Sequence, residues 1–417
     1  MHVSTVAERA AEAKEASKRM AWASASLKNE ALLAMAGLLG DKKAEILAAN
    51  EIDLEILQKK EGYSRAYYDR LKLTEARIED MMEGLRQLAA LPDPVGEVTG
   101  MWVRPNGLQV GQVRVPMGVV GIIYEARPNV TVDAAGLALK AGNAVVLRGS
   151  SEAINSNKAL VAVLRQAVES VGLPGSAVTL IEDTERAAVV EMMRLNKYLD
   201  VLIPRGGASL IQSVVENASV PVIETGVGNC HTFVDESADL KMAGEIAFNA
   251  KTHRPGVCNA METLLVHSAV ADKFLPGMLE SFIAAGVEVR GCARVQALDS
   301  RVKAAEEDDW YEEYLDLILA VKVVDSLEEA VAHIGKYGSG HSEAIVTSLY
   351  GNAREFQARV DAAAVYVNAS TRFTDGFEFG LGAEMGISTQ KLHVRGPMGL
   401  VALTSTKFVI NGDGQIR

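Results

Sequence analysis

Val115-Pro-Met-Gly-Val-Val-Gly-Ile-Ile-Tyr-Glu-Ala-Arg-Pro-Asn-Val-Thr131 decides the fold. Within it, Gly118–Tyr124 is a short apolar run of the kind that forms a buried strand. Glu125–Asn129 is a loop that enters a helix predicted over Val130–Ala141. The same beat recurs downstream. Ala144–Leu147 reads as a strand ending in Arg148-Gly-Ser-Ser151, followed by a helix over Asn155–Val171. Val178–Ile181 is the next strand, then a helix running to Met192, then the strand Val201–Ile203 followed by Pro204-Arg-Gly-Gly207. A helix over Ala208–Glu216 and a strand over Val220–Ile223 close the series. Such alternation implies a parallel, doubly wound sheet, whose ligands gather at the carboxyl ends of strands. Arg127, Asn129, Arg148, Gly206 and Glu224 all fall at such ends.

Upstream, residues 3–62 read as amphipathic helices, with Leu32, Leu33, Met35, Ala36 and Leu39 at helical spacing. A further helix covers Glu75–Ala90 and stops before Pro92 and Pro94. Val98–Val103 and Leu108–Val115 alternate as strands around the hairpin signal Asn106-Gly107. Downstream, a second α/β alternation is expected. It takes helices at Val270–Ala285, Leu327–Ile334 and Ala353–Val360, and strands at Val287–Val289, Leu317–Val324, Ala344–Ser348 and Ala364–Asn368. Thr371–Thr389 is glycine-rich and irregular. Leu400–Ile410 is strand-like and apolar enough to pair with a hairpin, within the chain or across a subunit boundary.

A chain of 417 residues exceeds one core, so two or three domains are expected. A formal charge of −12 argues against nucleic acid or an anionic membrane as the main partner. Three well-separated cysteines make neither a disulfide framework nor a zinc cluster, and fit a reducing compartment. The first residues lack an apolar signal core, and no apolar run is long enough to span a bilayer. The expectation is a cytoplasmic protein.

The chemistry-bearing stretch is Lys251-Thr-His-Arg-Pro-Gly-Val-Cys-Asn-Ala-Met-Glu262. Cys258 follows a Pro255-Gly256 turn, with Lys251, His253 and Arg254 upstream. Asn259–Glu262 is expected to begin a helical turn before the strand Thr263–His267. A thiol at a helix start beside cations has a depressed pKa and reacts as thiolate, whereas the plainer reading is a small buried apolar residue. Cys230 enters an apolar run and reads as structural. Cys292, in Arg290-Gly-Cys-Ala-Arg294, reads as exposed.

Arg148 with Ser150 beside it suits a phosphate monoester such as the 2′-phosphate of NADP, or is a surface arginine. Gly206 and Gly207 before a helix offer a pyrophosphate seat. Gly380-Leu-Gly382-Ala-Glu-Met-Gly386 lies too late, and after no clean strand, to be a dinucleotide loop, and reads as an active-site or packing loop. Glu224, beside Gly226, is a base, an orienting carboxylate or a solvated acid. His341 touches an anionic substrate or idles in a loop. The scattered histidines make no metal pattern.

Several long motifs carry a resemblance. They are Val115–Thr131, Ile203-Pro-Arg-Gly-Gly207, Glu224-Thr-Gly-Val-Gly-Asn-Cys-His231, Lys251–Glu262 and Val367–Ser388. Together they resemble the aldehyde dehydrogenase superfamily, and within it the branch that reduces an acyl phosphate of glutamate. The resemblance implies two Rossmann-like α/β domains plus a β-flap for oligomerisation. Residues 1–98 and 117–226 would bind cofactor, 227–397 would carry Cys258, and 99–116 with 398–417 would form the flap. It implies NADPH-dependent reduction of L-glutamyl 5-phosphate to L-glutamate 5-semialdehyde, the second step of proline synthesis.

Residue by residue, the resemblance makes Cys258 the nucleophile and Asn129 the oxyanion donor. Glu313 becomes the acid on the nicotinamide ribose. Gly206 and Gly207 take the pyrophosphate, and Gly226 belongs to the same cofactor set. Arg148 stands where relatives place a lysine. Glu224 matches a water-activating base, a role unwanted where a thioester must be kept from water. Arg127, His253 and Arg254 would meet the phosphate. The loop Asn368–Arg372, with Ser370 and Thr371, would grip the substrate's α-amino and α-carboxylate groups. A homo-oligomer and a transient complex with glutamate 5-kinase are the implied partners. Two other readings are a dehydrogenase acting on a coenzyme A thioester and a catalytically silent nucleotide-binding scaffold for the kinase.

Overall fold

The structure is a computed structural model that describes residues 5–60, 62–63 and 65–417. Residues 3, 4 and 61 of the helical stretch 3–62 lie outside the described residues. The chain divides into two compact units. The first comprises Met1–Thr225, Gly380–Gly386 and Met398–Arg417, and the second Gly226–Phe379 and Ile387–Pro397. Gly380–Gly386, expected with residues 227–397, thus packs in the first unit.

The first unit opens with α1 (Val6–Met20), α2 (Ala25–Asp41), α3 (Lys43–Gln58), α4 (Arg65–Leu71) and α5 (Glu75–Ala90). Local chemistry sets several starts. Thr5 and Glu8 close a reciprocal capping box on α1, and the Ser24 and Thr74 side chains cap α2 and α5. A hairpin of β1 (Val98–Val103) and β2 (Gln109–Pro116) follows. Next come β3 (Val119–Tyr124), α6 (Pro128–Lys140), β4 (Ala144–Arg148), α7 (Ile154–Ser170), β5 (Val178–Leu180), α8 (Arg186–Met192), β6 (Val201–Arg205) and α9 (Ala208–Asn217). The sheet is parallel in the order β5-β4-β3-β6, and every residue of β3 and β4 is buried. Sequential strands step one way from β3 and then return to its other side at β6. The topological switch point therefore lies between the carboxyl ends of β3 and β6, where open α/β sheets bind ligands. Val220–Ile223, expected as a strand, makes only a single parallel bridge, Leu202 to Val222. Pro221 has no N–H with which to extend the ladder.

The second unit begins with β7 (Cys230–Val234) and α10 (Leu240–Thr252), an element with no counterpart in the sequence reading, capped by Asp239. Next come β8 (Met261–His267), α11 (Ser268–Ala284), β9 (Glu288–Gly291), α12 (Ala293–Gln296), β10 (Lys303–Ala304) and β11 (Ile318–Val324). They are followed by α13 (Leu327–Tyr337), β12 (Ser342–Val346), α14 (Tyr350–Arg359), β13 (Ala364–Val367) and the short pair β14 (Ile387–Ser388) and β15 (Gly396–Pro397). The main sheet runs β10-β9-β11-β8-β7-β12-β13, parallel throughout. One face packs Phe233, Leu265, Ile345 and Phe356, the other Leu264, Leu275, Phe282 and Val321, so helices cover both sides. Cys292 is half-buried against this core rather than exposed.

The tail β16 (Thr404–Asn411) pairs antiparallel with β2 of the same chain, from Thr404 opposite Pro116 to Asn411 opposite Gln109. The three-stranded sheet β1-β2-β16 leaves Met101, Val103, Phe408 and Ile410 exposed. No helix among the described residues is long and apolar enough to cross a membrane.

Candidate active site

In the first unit, Arg127, Asn129, Arg148, Ser150, Gly206, Gly207 and Glu224 all stand at or just after strand ends at or next to the switch point. Arg127 is the residue before α6, Pro128 opens that helix, and Asn129 is exposed on its first turn. The Asn129 amide donates to Asp133 Oδ2 at 3.2 Å. Burial pushes the Asp133 carboxyl up to about 6, against the hydrogen bond from Asn129 and the charge of Arg205. The unfolded chain releases that proton near 3.8. Between those values the folded state holds more protons, so stability falls as pH rises through the window. Between pH 4.5 and 7 the urea midpoint of Asp133→Asn is expected to shift toward higher stability relative to that of the unaltered chain.

The β6–α9 turn places Gly206 and Gly207 across from Glu125. The Gly207 N–H donates to Glu125 Oε1 at 3.1 Å, and a Cβ on Gly206 would stand 2.7 Å from the Glu125 carboxyl carbon. A side chain there would have to displace the Glu125 carboxyl and the end of Leu210. Glu125 was absent from the sequence reading, since an acid in a loop carries no signal until the turn it faces is known. Arg148 ends β4 nearly buried. Its Nη groups donate to the carbonyls of Gly149, Thr184 and Glu185 at 3.0, 2.6 and 3.3 Å, while Nε is buried without a partner. It is therefore not the free surface arginine of the plainer reading. Ser150 lies beside the Tyr67 hydroxyl. Glu224 is half-buried just before Thr225, whose hydroxyl donates to the Pro204 carbonyl at 3.0 Å. Gly380, Gly382 and Gly386 all take positive φ, and a Cβ on Gly382 would meet Leu91 at 2.5 Å, so this run serves packing.

In the second unit, Cys258 sits half-buried on the turn between α10 and β8. The expected helix start is absent. Ala260 N–H closes a turn on the Val257 carbonyl at 3.0 Å, and β8 begins at Met261, so no helix N-terminus acts on the thiol. Lys251 is also no neighbouring free cation. Its ammonium lies 2.5 Å from Glu262 Oε2, with both side chains fully buried. Burial pushes Glu262 up to about 8 and Lys251 down, opposed by their mutual attraction. His253 and Arg254 do stand exposed just upstream of the thiol.

A layer of polar groups supports the turn. A Cβ on Gly228 would fall 1.6 Å from the Cys258 carbonyl oxygen, so the 226–230 segment can lie against the turn only through glycine. The Gly228 N–H donates to Glu313 Oε1 at 2.7 Å, and burial pushes the Glu313 carboxyl up. Gly226 donates to the Ile387 carbonyl at 2.8 Å, and its missing Cβ would clash with Thr389. The Cys230 thiol donates to the Cys258 carbonyl at 3.1 Å and is buried, which agrees with a structural role.

His341, read as touching an anionic substrate or idling in a loop, is fully buried beside Cys230 and bonded to Ser342 Oγ at 2.8 Å. Burial pushes it down to about 4, so it is neutral at pH 7 and cannot offer an anion a charge. Thr371 is buried and donates to the Asn259 carbonyl at 2.8 Å, and Ser370 caps the Arg372 N–H at 3.3 Å. Asn368 holds positive φ and exchanges two hydrogen bonds with the Thr347 backbone, at 2.9 and 3.0 Å. These three residues, assigned from sequence to substrate, shape the backbone around Cys258 and β13. Among the described residues no three His, Cys, Asp or Glu side chains gather as metal ligands.

The strands bring Cys230, Ser342 and the Cys258 turn together at the amino edge of this sheet, the opposite edge from the one the doubly wound rule favours.

Residues 2–289 match the model of the aldehyde dehydrogenase family. The chain is 65% identical to the γ-glutamyl phosphate reductase of Moorella thermoacetica over 405 residues, 97% of each chain. It superposes with a TM-score of 0.97 on the crystal structure of γ-glutamyl phosphate reductase from Thermotoga maritima, at 52% identity over 99% of this chain and 100% of that one. An engineered glycolyl-CoA reductase with bound NADP+ shares the fold, with a TM-score of 0.71 at 16% identity over 98% of each chain.

Proposed function

The chain belongs to the aldehyde dehydrogenase family, and on that premise we propose that it reduces L-glutamyl 5-phosphate to L-glutamate 5-semialdehyde, the second step of proline synthesis from glutamate. The full-length match to γ-glutamyl phosphate reductases carries this reading. Cys258, on a turn braced by its own strands, is the nucleophile. Its sulfur bonds to the acyl carbon as the carbon–oxygen bond to phosphate breaks. Thiol and acyl phosphate dianion become thioester and hydrogen phosphate, so the thiol proton ends on the departing group. The oxyanion role falls to the amide of Asn129 and the Cys258 N–H, each donor in such a site contributing about 3 kcal/mol. Arg127, His253 and Arg254 are the cations assigned to the phosphate. Glu224 remains a site residue, and no water-activating duty is given to it.

A nicotinamide cofactor fits the switch point of the first unit. The Gly206–Gly207 turn brings its backbone to the surface there, the Gly207 N–H being held by Glu125, and the first N–H groups of α9 have no acceptor within the helix. The buried Nε of Arg148 is a donor awaiting an acceptor, which favours NADPH and its extra phosphate. Gly226 and Glu313 complete the assigned cofactor set. When bound, NADPH supplies the hydride that reduces the acyl carbon. The exposed apolar residues of the β1-β2-β16 sheet are assigned to self-association. A transient complex with glutamate 5-kinase suits so labile a substrate, and the cytoplasm is the assigned compartment.

The test runs the reaction backwards, with semialdehyde, phosphate and NADP+. Phosphate-dependent formation of NADPH is expected, and activity with coenzyme A in place of phosphate would reject the reading. In the same assay, Arg148→Ala is expected to cut the preference for NADP+ over NAD+ by about tenfold or more, the scale of one charged hydrogen bond. An unchanged preference removes Arg148 from the cofactor site.

A further inference from the structure

Arg372 entered the sequence reading only as the end of a loop assigned to the substrate's α-amino and α-carboxylate groups. Its surroundings point elsewhere. The turn Thr371–Phe373 is bolted to the residue after the nucleophile. Thr371 donates to the Asn259 carbonyl at 2.8 Å, and the Asn259 amide donates to the carbonyls of Arg372 and Thr374 at 3.3 and 2.9 Å. Asn259, Thr371 and Thr374 are all buried, so Arg372 is held at a fixed place beside Cys258.

Its guanidinium is half-buried, and its Nε is buried with no hydrogen-bond partner. The charges acting on it are few. Arg254 repels it, while Asp375 and the thiolate form of Cys258 attract it. Asp375 already accepts the Phe377 N–H at 2.8 Å. Two guanidiniums thus share a place with one thiol, and among the described residues neither is ion-paired to a carboxylate. A half-buried unpaired guanidinium costs stability unless an anion completes it, and the planar fork of arginine matches phosphate oxygens.

We propose that Arg372, together with Arg254, seats the phosphate of the acyl-phosphate substrate beside Cys258 and holds it as it departs. This rests on the proposed function and adds a residue to it. The bond changes are those already given: carbon–sulfur forms, carbon–oxygen breaks, and the electron pair leaves on the phosphate oxygen between the two cations.

Inorganic phosphate is the probe. Alkylation of Cys258 by iodoacetamide is followed by peptide mass, with and without phosphate, and the Michaelis constants of phosphate and semialdehyde are measured in the reverse reaction. Phosphate is expected to slow alkylation of the unaltered protein. In Arg372→Gln, half-protection and the phosphate constant are expected to rise about tenfold or more, the scale of a lost charged hydrogen bond. The semialdehyde constant should move much less. Arg372→Lys, which keeps charge but loses Nε and the fork, should fall between, and it carries the test if the Gln variant fails to fold. Protection at the same phosphate concentration in both variants overturns the proposal. So does a rise confined to the semialdehyde constant, which would return Arg372 to the α-carboxylate. If phosphate affects neither alkylation nor turnover of the unaltered protein, the proposed function itself falls.

Discussion

Replacing Cys258 by serine lowers reductase turnover by on the order of 10⁴-fold or more, the scale seen when an attacking nucleophile is removed. A hydroxyl is close to isosteric with the thiol, so the half-buried turn and its brace from Cys230 have no reason to change. The difference is chemical. A thiol is a few per cent thiolate near pH 7 and strongly nucleophilic, whereas a serine hydroxyl stays protonated unless a base faces it. His341 lies on this side of the sheet but is buried and bonded to Ser342, and it cannot take that duty. The measurement is single-turnover reduction with a thermal melt alongside. A serine protein with turnover within tenfold of the original would remove Cys258 as nucleophile.

Breaking the buried Lys251–Glu262 pair has the second large effect. The two side chains stand at the end of α10 and the start of β8, so they pin both ends of the loop that carries Cys258. Glu262 also accepts the Leu315 N–H at 3.2 Å, which ties in the segment of Glu313. With Glu262 pushed up to about 8, Lys251→Met leaves a buried, protonated carboxyl without its hydrogen-bond partner, and a cost of about 1–3 kcal/mol is expected. The double variant Lys251→Met, Glu262→Leu should recover most of that loss in urea denaturation, because two apolar side chains satisfy each other. If the single and double variants are equally destabilised, the loss comes from packing volume rather than from the orphaned carboxyl.

The elements were legible where local chemistry speaks. The helix over Glu75–Ala90 and the strand Val98–Val103 have the bounds expected from periodicity and turn residues. The helix α10 escaped because its apolar face is built of alanines, among them Ala243, Ala247 and Ala250, which mark no strong period. The helical turn after Cys258 was expected from Asn259–Glu262, but Asn259 spends its amide on Arg372 and Thr374 and the strand takes over at Met261. Tertiary pairing outweighs propensity over so few residues.

The strand–helix alternation, the residues at its strand ends, the place of Cys258 and, through long motifs, the family were all readable along the chain. Each of these is local, written in periodicity, turn residues or unbroken runs. Which charges are free to act was set by folding alone. Lys251 and His341 looked available and are sealed in the core, whereas Arg372 looked like one loop residue among many and carries an unpaired guanidinium beside the thiol. Burial and pairing depend on partners tens to hundreds of residues away, such as Asn259 for Thr371 and Gly228 for Glu313, and no local pattern encodes them.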